Sequence, residues 1–462
     1  MHRSIQQQDH RKCLVWYGLF TLVLYVGPTK AIAQPTQARW TLTQCLERAL
    51  EASPEVHENL AEVYIAESKV SQAKAGRLPR LTMTSTIGVV NGTEGEGFEA
   101  RTDNDDLGPF FRGELEVVQP LYTFGRLRHE IRAAMQGVAT KHAATETARH
   151  AVLAAVKELY YNLQFSRQIQ ELLNESQENF TKALSTAEER LEAGEGTVTQ
   201  ADVLRLRIGL AGITKELFTL NRAIEVTRAA LKRQLGLSAN EPFDIDESLL
   251  EPVELRLQAL AVYQEQIGQH RPEFLQLDAG LEAQRARLQA ARSAYYPSLF
   301  LAGGVQGAIA PNRDDQKSPF ANDDFNFFRG GMALGVRWQF DFWMTHARVA
   351  ERLAEVAKVE LQRQHAETGI HLDLQRRYLE VEEHQLKLEA AQTARKAARA
   401  LMLTSLANFT LGIGEAQDVF SFVGLYTQMA SDYYKVVRDL NIAAARLSQA
   451  VGQEVATLSY QR

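Results

Sequence analysis

The sequence RLRHEIRAAMQGVATKHAAT at positions 126–145 opens a run of helix-forming residues that continues to position 193 without a proline and with a single glycine. A second run of this kind occupies positions 346–411. The first run ends at Gly194 and Gly196, and the second ends at Gly412 and Gly414. At a rise of about 1.5 Å per residue, each run would form a helix roughly 100 Å long, about three times the apolar thickness of a membrane. The two runs predict a mainly α-helical chain that forms an elongated structure.

The rest of the chain repeats as well. Five matches in the same order, at offsets of 216 to 218 positions, indicate an internal duplication. They include Pro54 with Pro272, Pro79 with Pro297, Phe-Phe-Arg-Gly at 110–113 and 327–330, Asp202-Val203 with Asp418-Val419, and Gly236 with Gly452. Each copy is predicted to contain a helix, a hairpin of two strands, a long helix and a return helix. The first copy covers 34–237, with its hairpin at 81–120 and its helical hairpin at 126–236. A linker at 238–256 leads to the second copy at 257–462, with its hairpins at 299–342 and 346–452.

The segments before the long runs have the two-residue period of strands. Leu81, Met83 and Ile87 alternate with threonines, and Met332 and Leu334 alternate with small residues. Each strand is about 10 residues long, which is enough for a tilted strand to cross a bilayer, and aromatic residues gather at the strand ends. We interpret the segments as membrane hairpins, while an aromatic core in a soluble sheet is the alternative. The glycine-rich, acidic residues 91–108 are predicted to form a solvated loop.

Four strands cannot close a barrel, and an open sheet edge in lipid would leave backbone groups unpaired. Other chains must therefore complete the sheet. Three copies would give twelve strands, an even number within the range of membrane barrels. The predicted fold class is thus mainly α with a membrane β-barrel portion, in which the duplicated helical hairpins form an α-barrel and each chain supplies four strands to a trimer.

The N-terminus resembles an export signal. Positions 2–12 are polar and basic, 13–26 are apolar, and Ala31 and Ala33 suit a signal peptidase, so 1–33 is predicted as a signal peptide rather than a transmembrane anchor. The chain carries a formal net charge of −6, and removal of the basic signal makes it more acidic, which argues against a nucleic-acid partner. Only Cys45 would remain after processing, so no internal disulfide is expected.

Taken together, these features resemble the TolC-like outer-membrane efflux protein family. The resemblance covers nearly all of the chain after the signal. It is carried by KAGRLPRL at 74–81, by QPLYTFGR at 119–126, and by the two tips in which a glycine precedes Asp-Val. It implies a homotrimer in the cell outer membrane of a Gram-negative bacterium, with a helical tunnel in the periplasm. Cargo would arrive from an inner-membrane pump through a periplasmic adaptor protein.

The resemblance also implies an aperture at the helical tips. Asp418 matches an inward acidic residue of the family, and three such carboxylates around an axis would attract cations. The alternative for Asp418 is a helix N-cap. Its first-copy partner Asp202 is predicted to cap its helix or to pair with a neighbouring hairpin near Phe409. With these three residues, the glycines Gly194, Gly196, Gly412 and Gly414 complete the pore and aperture candidates.

The sequence shows no phosphate-binding loop, no paired-cysteine metal site and no reactive cluster. His365 and His371 are six positions apart and lie on different helix faces, which disfavours a zinc pair. We therefore predict no cofactor, no metal site and no enzymatic activity. The alternative to an exit duct is a periplasmic coiled-coil adaptor or scaffold, which would also contain long helical hairpins but would lack the duplicated strand hairpins.

Overall fold

The computed structural model describes residues 39–194 and 198–456. In these residues eight α-helices and six strands follow the same order twice, and each half opens with a strand of two residues. In the first half the elements are β1 (Arg39–Trp40), α1 (Leu42–Ala52), α2 (Pro54–Ala75), β2 (Arg80–Glu94), β3 (Arg101–Tyr122), α3 (Arg126–Glu192) and α4 (Gln200–Gln234). In the second half they are β4 (Asp244–Ile245), α5 (Leu260–His270), α6 (Pro272–Arg292), β5 (Ser298–Ile309), β6 (Phe327–Arg337), α7 (Phe342–Thr410) and α8 (Ala416–Val451).

The prediction of a mainly helical chain with two strand hairpins is confirmed. The predicted signal peptide lies outside the described residues, as does Gly196. The proposed division into two repeats and a linker stays a prediction, although the order of the elements agrees with it.

Two helices, α3 and α7, dominate the chain with 67 and 69 residues. Both end where a glycine turns the backbone into the left-handed region, at Gly194 (φ +72°) and Gly412 (φ +82°), a conformation that costs glycine little. In the described part of the chain, every helix falls short of the combined length and apolar character that a membrane crossing requires.

The four long strands form one antiparallel sheet in the order β2-β3-β5-β6. In this order, β3 and β5 bring the two hairpins together at the centre, and β2 and β6 are the edges. The four strand termini that connect to the helices lie at the same end of the sheet, because Arg80 pairs with Val118 and Ser298 pairs with Arg337. The sheet therefore continues directly into the helices at this side.

Two predicted boundaries were wrong. Most of the predicted loop at 91–108 is strand, because Thr93 and Glu94 pair with Thr102 and Arg101 after a register shift at Asn91. The fourth strand, predicted to reach 342, ends at Arg337, and the helix predicted from 346 begins at Phe342. The reason is the cap at Asp341, whose carboxylate accepts a hydrogen bond from the backbone N–H of Met344 at 3.3 Å and starts the helix early.

The helices away from the sheet pack around continuous apolar clusters. One cluster lies where α1, α3, α4 and the short strands meet, and includes Cys45, Val156 and Leu163. Tyr160 donates a hydrogen bond to Asp246 there. Burial, followed by the charge of Asp246, raises the pKa of the Cys45 thiol to about 12. This packing ties the connection between the two halves to the first long helix.

Candidate functional site

The two faces of the four-stranded sheet differ completely in charge. On one face, within the paired segments 80–91, 107–120, 298–309 and 327–337, every side chain is uncharged, and the large residues other than Asn91 and Gln119 are apolar. They include Met83, Leu115, Val305, Met332 and Leu334. A face of this kind suits hydrocarbon, while the opposite face suits water.

All six charged residues of these segments share that opposite face, as the strand register requires. They are Arg80, Arg112, Glu114, Glu116, Arg329 and Arg337. One row across the sheet contains Thr84, Glu114, Gln306 and Arg329, and the neighbouring row contains Arg112 and Phe327. The threonines of β2 complete a polar lining.

Aromatic side chains lie at both ends of the strands. At the helix side, the ring of Phe124 contacts Tyr122 (centroids 4.7 Å apart) and stacks on Tyr296 (5.4 Å). At the loop side, the rings of Phe110 and Phe325 meet edge to face at 5.0 Å. Such rings at both ends are typical of strands that cross a membrane.

The loops at that side are fastened to each other. The carbonyl oxygen of Asn312 accepts a hydrogen bond from the N–H of Thr93 at 3.2 Å. Arg313 donates to the carbonyl of Asn91 at 2.7 Å and pairs with the buried carboxylate of Asp323 at 2.9 Å. The two hairpins of one chain therefore form a single unit at their outer ends.

At the ends of the helical hairpins farthest from the sheet, a side chain of α3 binds the C-terminus of α7. The guanidinium of Arg190 donates hydrogen bonds to the carbonyl oxygens of Phe409 (2.8 Å) and Thr410 (2.9 Å). These carbonyls belong to the last turn of a helix, where carbonyl oxygens carry partial negative charge, and that of Phe409 also accepts a hydrogen bond from the backbone N–H of Gly412 at 3.1 Å. A single arginine therefore joins the two tips.

The other candidate residues at the tips have distinct places. The ring of Phe409 is 2% exposed and lies under Arg190, so it packs within the chain, and its place among the aperture candidates stays a prediction. Gly414 packs closely, since an added Cβ would lie 2.8 Å from the backbone nitrogen of Phe409. Gly194 and Gly412 make the turns that end the two long helices.

Asp202 belongs to the capping box of its own helix, in which Thr199 is the N-cap residue; helix capping was one of its two predicted roles. It is the third residue of α4, and its carboxylate accepts hydrogen bonds from the backbone N–H of Thr199 (3.0 Å) and the Thr199 hydroxyl (2.6 Å). Arg205 pairs with it at 2.8 Å. The Thr199 hydrogen bonds hold the pKa of the Asp202 carboxyl below its ordinary value. The predicted pairing near Phe409 does not occur within the chain.

Asp418 occupies the equivalent position in α8, but its carboxylate lacks the partners that bind Asp202. The N-cap of α8 is Glu415, so Asp418 does not serve as the cap, which was its alternative role. The two residues that bind Asp202 are replaced in the second copy, Thr199 by Glu415 and Arg205 by Ser421. Asp418 is exposed and, among the described residues, its carboxylate has no hydrogen-bond or ion-pair partner. Of the two equivalent aspartates, only Asp418 is therefore available to solvent or to another chain.

Arg190 is not among the site residues that the sequence predicts. No local signal identifies its role, because its partners lie 219 and 220 positions away. The difference between Asp202 and Asp418 could have been predicted from the duplication. Once the two copies are aligned, the sequence shows that Thr199 and Arg205 are replaced in the second copy.

Comparison with known proteins agrees with this geometry. The family model described as "Outer membrane efflux protein" matches residues 45–237. The first half of the chain is therefore similar to the outer membrane efflux protein family. Solved structures match over both halves. Campylobacter jejuni CmeC, an outer membrane channel, aligns over 90% of this chain and 86% of its own with a TM-score of 0.74 and 15% identity. Vibrio cholerae VceC, an outer membrane protein, aligns over 90% and 96% with a TM-score of 0.73 and 17% identity.

Curated members of the efflux family match only part of the chain. The cation efflux system protein CusC of Escherichia coli is 27% identical over 266 residues, which is 55% of this chain and 54% of that protein. The pyoverdine export outer membrane protein OpmQ of Pseudomonas aeruginosa is 24% identical over 290 residues, which is 61% and 59%. The chain thus spans little more than half the length of the curated relatives it matches.

Proposed function

We propose that this chain is one subunit of a homotrimeric outer-membrane exit duct for efflux or secretion. In this proposal the sheet lies in the membrane, the helices extend into the periplasm, and cargo arrives from an inner-membrane pump through a periplasmic adaptor. The observation that carries the proposal is the sheet with one charge-free face and one charged face, which continues directly into helices of 67 and 69 residues.

The sheet edges support assembly with further copies. Strands β2 and β6 each leave one side without a strand partner among the described residues. In lipid, the backbone groups on those sides need hydrogen-bond partners. Pairing β6 of one subunit with β2 of the next would supply them, and three copies would close twelve strands.

The helices offer a matching pair of surfaces. Along α7, Leu372, Leu379 and Leu386 recur every seven residues and are 66%, 49% and 74% exposed. On α4, Ile208 and Phe218 are also exposed. Apolar ladders at this spacing are typical of helix–helix contacts. Because α3 and α8 pack between α4 and α7 within one chain, these two helices are free to meet across a subunit boundary.

A periplasmic adaptor or scaffold is the second candidate. It accounts for the helical hairpins but gives no role to a four-stranded sheet with a charge-free face. The family, whose description is that of an efflux protein, also favours the duct over an adaptor and over an enzyme.

The test is fractionation followed by mass measurement. The protein should sediment with outer membranes, require detergent for extraction, and run as a trimer by light scattering. The variant Leu379→Asp should weaken the trimer, whereas Leu403→Asp, also exposed on α7 but about 120° around the helix from the ladder, should affect it less. A purified chain that stays monomeric in buffer without detergent would contradict the proposed exit duct and favour the adaptor.

A further inference from the structure

The charged face of the sheet carries an excess of arginine. Its charged residues are four arginines and two glutamates. The outer segments beyond it, at 91–108 and 310–326, contain ten acidic residues and three basic ones. The chain as a whole is acidic, with a formal net charge of −6. The positive excess on this face is therefore a local feature and not a reflection of composition.

Two of the arginines share one aromatic ring. The guanidinium carbon of Arg329 lies 4.3 Å from the ring centroid of Phe327, and that of Arg112 lies 5.6 Å from the same centroid. Cations placed over an aromatic face are attracted by the ring, which fixes the guanidinium groups in position. The result is a small cluster of two cations and one aromatic ring on a rigid pair of rows in the sheet.

The neighbouring glutamates do not neutralise the two arginines of this cluster. Glu114 lies in the row of Arg329 but is separated from it by the strand that contributes Gln306. Among the described residues, neither Glu114 nor Glu116 forms an ion pair with an arginine of this face. The one acidic contact of Arg329 is with Asp324 of the outer loop at 3.9 Å, where both side chains are largely exposed. Such a pair is weak in water.

We propose that Arg112, Phe327 and Arg329 form an anion-binding belt inside the duct, selective for small molecules that carry carboxylate or phosphate groups. Arginine is suited to these groups because its planar guanidinium donates two parallel hydrogen bonds to them. This inference rests on the proposed function, because the charged face becomes a lumen only when the sheet closes. In a trimer the belt would contain six guanidinium groups and three rings, which would also bind an aromatic anion by stacking.

The experiment measures ion selectivity of the purified full-length protein in planar bilayers under a potassium chloride gradient. The double variant Arg112→Gln/Arg329→Gln should raise the potassium-to-chloride permeability ratio about threefold at low salt, where charges in a lumen are least screened. The matched control Arg101→Gln/Lys317→Gln removes two positive charges from the outer loops and should change the ratio less.

A second measurement tests binding directly. Phthalate, an aromatic dicarboxylate, should block the current of the unmodified protein at a lower concentration than benzyltrimethylammonium, a cation of similar size. The double variant should need at least about fivefold more phthalate, while Arg112→Lys/Arg329→Lys should keep the permeability ratio and still lose block. Because the comparison of the two blockers uses the unmodified protein, it holds even where a variant fails to assemble.

The outcomes separate the two proposals. Channels whose permeability ratio and phthalate block are unchanged in the double variant would overturn the belt and leave the duct intact, as would an unmodified channel that is blocked better by the cation. Failure of the trimeric protein to form any channel would instead overturn the proposed function.

Discussion

Arg190 and Phe409 join the ends of the two long helices, although they are 219 positions apart in the chain. One guanidinium nitrogen donates to the carbonyl oxygen of Phe409 at 2.8 Å, and the guanidinium carbon lies 5.3 Å from the centre of the Phe409 ring. The same side chain reaches the carbonyl of Thr410. A positive charge at a helix C-terminus stabilises the last turn, so the tip of the second copy depends on a residue of the first.

We expect Arg190→Gln to loosen the end of α7. Loss of a charged hydrogen-bond donor to helix-end carbonyls removes about 1–2 kcal/mol, so hydrogen exchange of the amides at 410–414 should accelerate about tenfold. Exchange measured by mass spectrometry on the detergent-extracted protein gives the rate. The control is Arg207→Gln, which breaks an exposed pair with Glu188 and should change little. Equal effects of the two variants would show that Arg190 does not hold the tip.

We expect Asp418→Asn to reduce the preference of the channel for cations. Its carboxylate is exposed and unheld within the chain, and three copies around an axis would concentrate cations at the aperture. The reversal potential under a salt gradient should shift toward anions, by several-fold in permeability ratio at low salt. The control Asp202→Asn changes the equivalent residue, whose charge is bound by Thr199 and Arg205, and should leave selectivity nearly unaltered. Unchanged selectivity in Asp418→Asn would remove that residue from the conducting path.

The sequence was sufficient for the long helices and the strand hairpins, because the patterns that predict both are local. Helix-forming residues without proline specify α3 and α7, and Gly194 and Gly412 stop them. The strand period near Leu81 and Met332 likewise identifies both hairpins. Each of these signals depends on residues close together in the chain, so it can be read without the fold.

The structural features that could not be predicted from the sequence depend on contacts between residues far apart in the chain. Phe409 was predicted among the aperture candidates, which stays a prediction, but its burial within the chain comes from an apolar cluster that includes residues of α3, α4 and α8. The hairpin end at 91–108 reads as a glycine-rich acidic loop, yet its backbone pairs as strand and is held by Asn312 from the other hairpin. Sequence period carries no information about such distant partners.

We expect the contribution of Asp202 to depend on pH. The folded pKa of Asp202 is lowered, foremost by the Thr199 hydrogen bonds, so its stabilising effect is present above the unfolded pKa of about 3.9 and is lost as the pH falls through the folded value. Asp202→Asn should therefore lower protection of the amides at 198–203 by about 1 kcal/mol at pH 7, and the difference from the parent should shrink toward pH 3. Asp418→Asn is the matched control and should leave the protection of the amides at 198–203 unchanged. A constant difference at both pH values would contradict the ionised cap.

We expect Cys45 to be inert in the folded protein. Its side chain is fully buried, and burial raises the thiol pKa to about 12, whereas an exposed thiol ionises near pH 8.5. At pH 8 the reactive thiolate is thus at least about a thousandfold rarer in the folded state, and iodoacetamide should label the mature chain only after denaturant is added. A Cys45→Ala/Ser71→Cys variant, which moves the thiol to an exposed helix position, should react at the ordinary rate and serves as the control. Equal labelling of the two folded proteins would mean that the cluster around Cys45 opens in solution, because only solvent contact would let this thiol ionise at that pH.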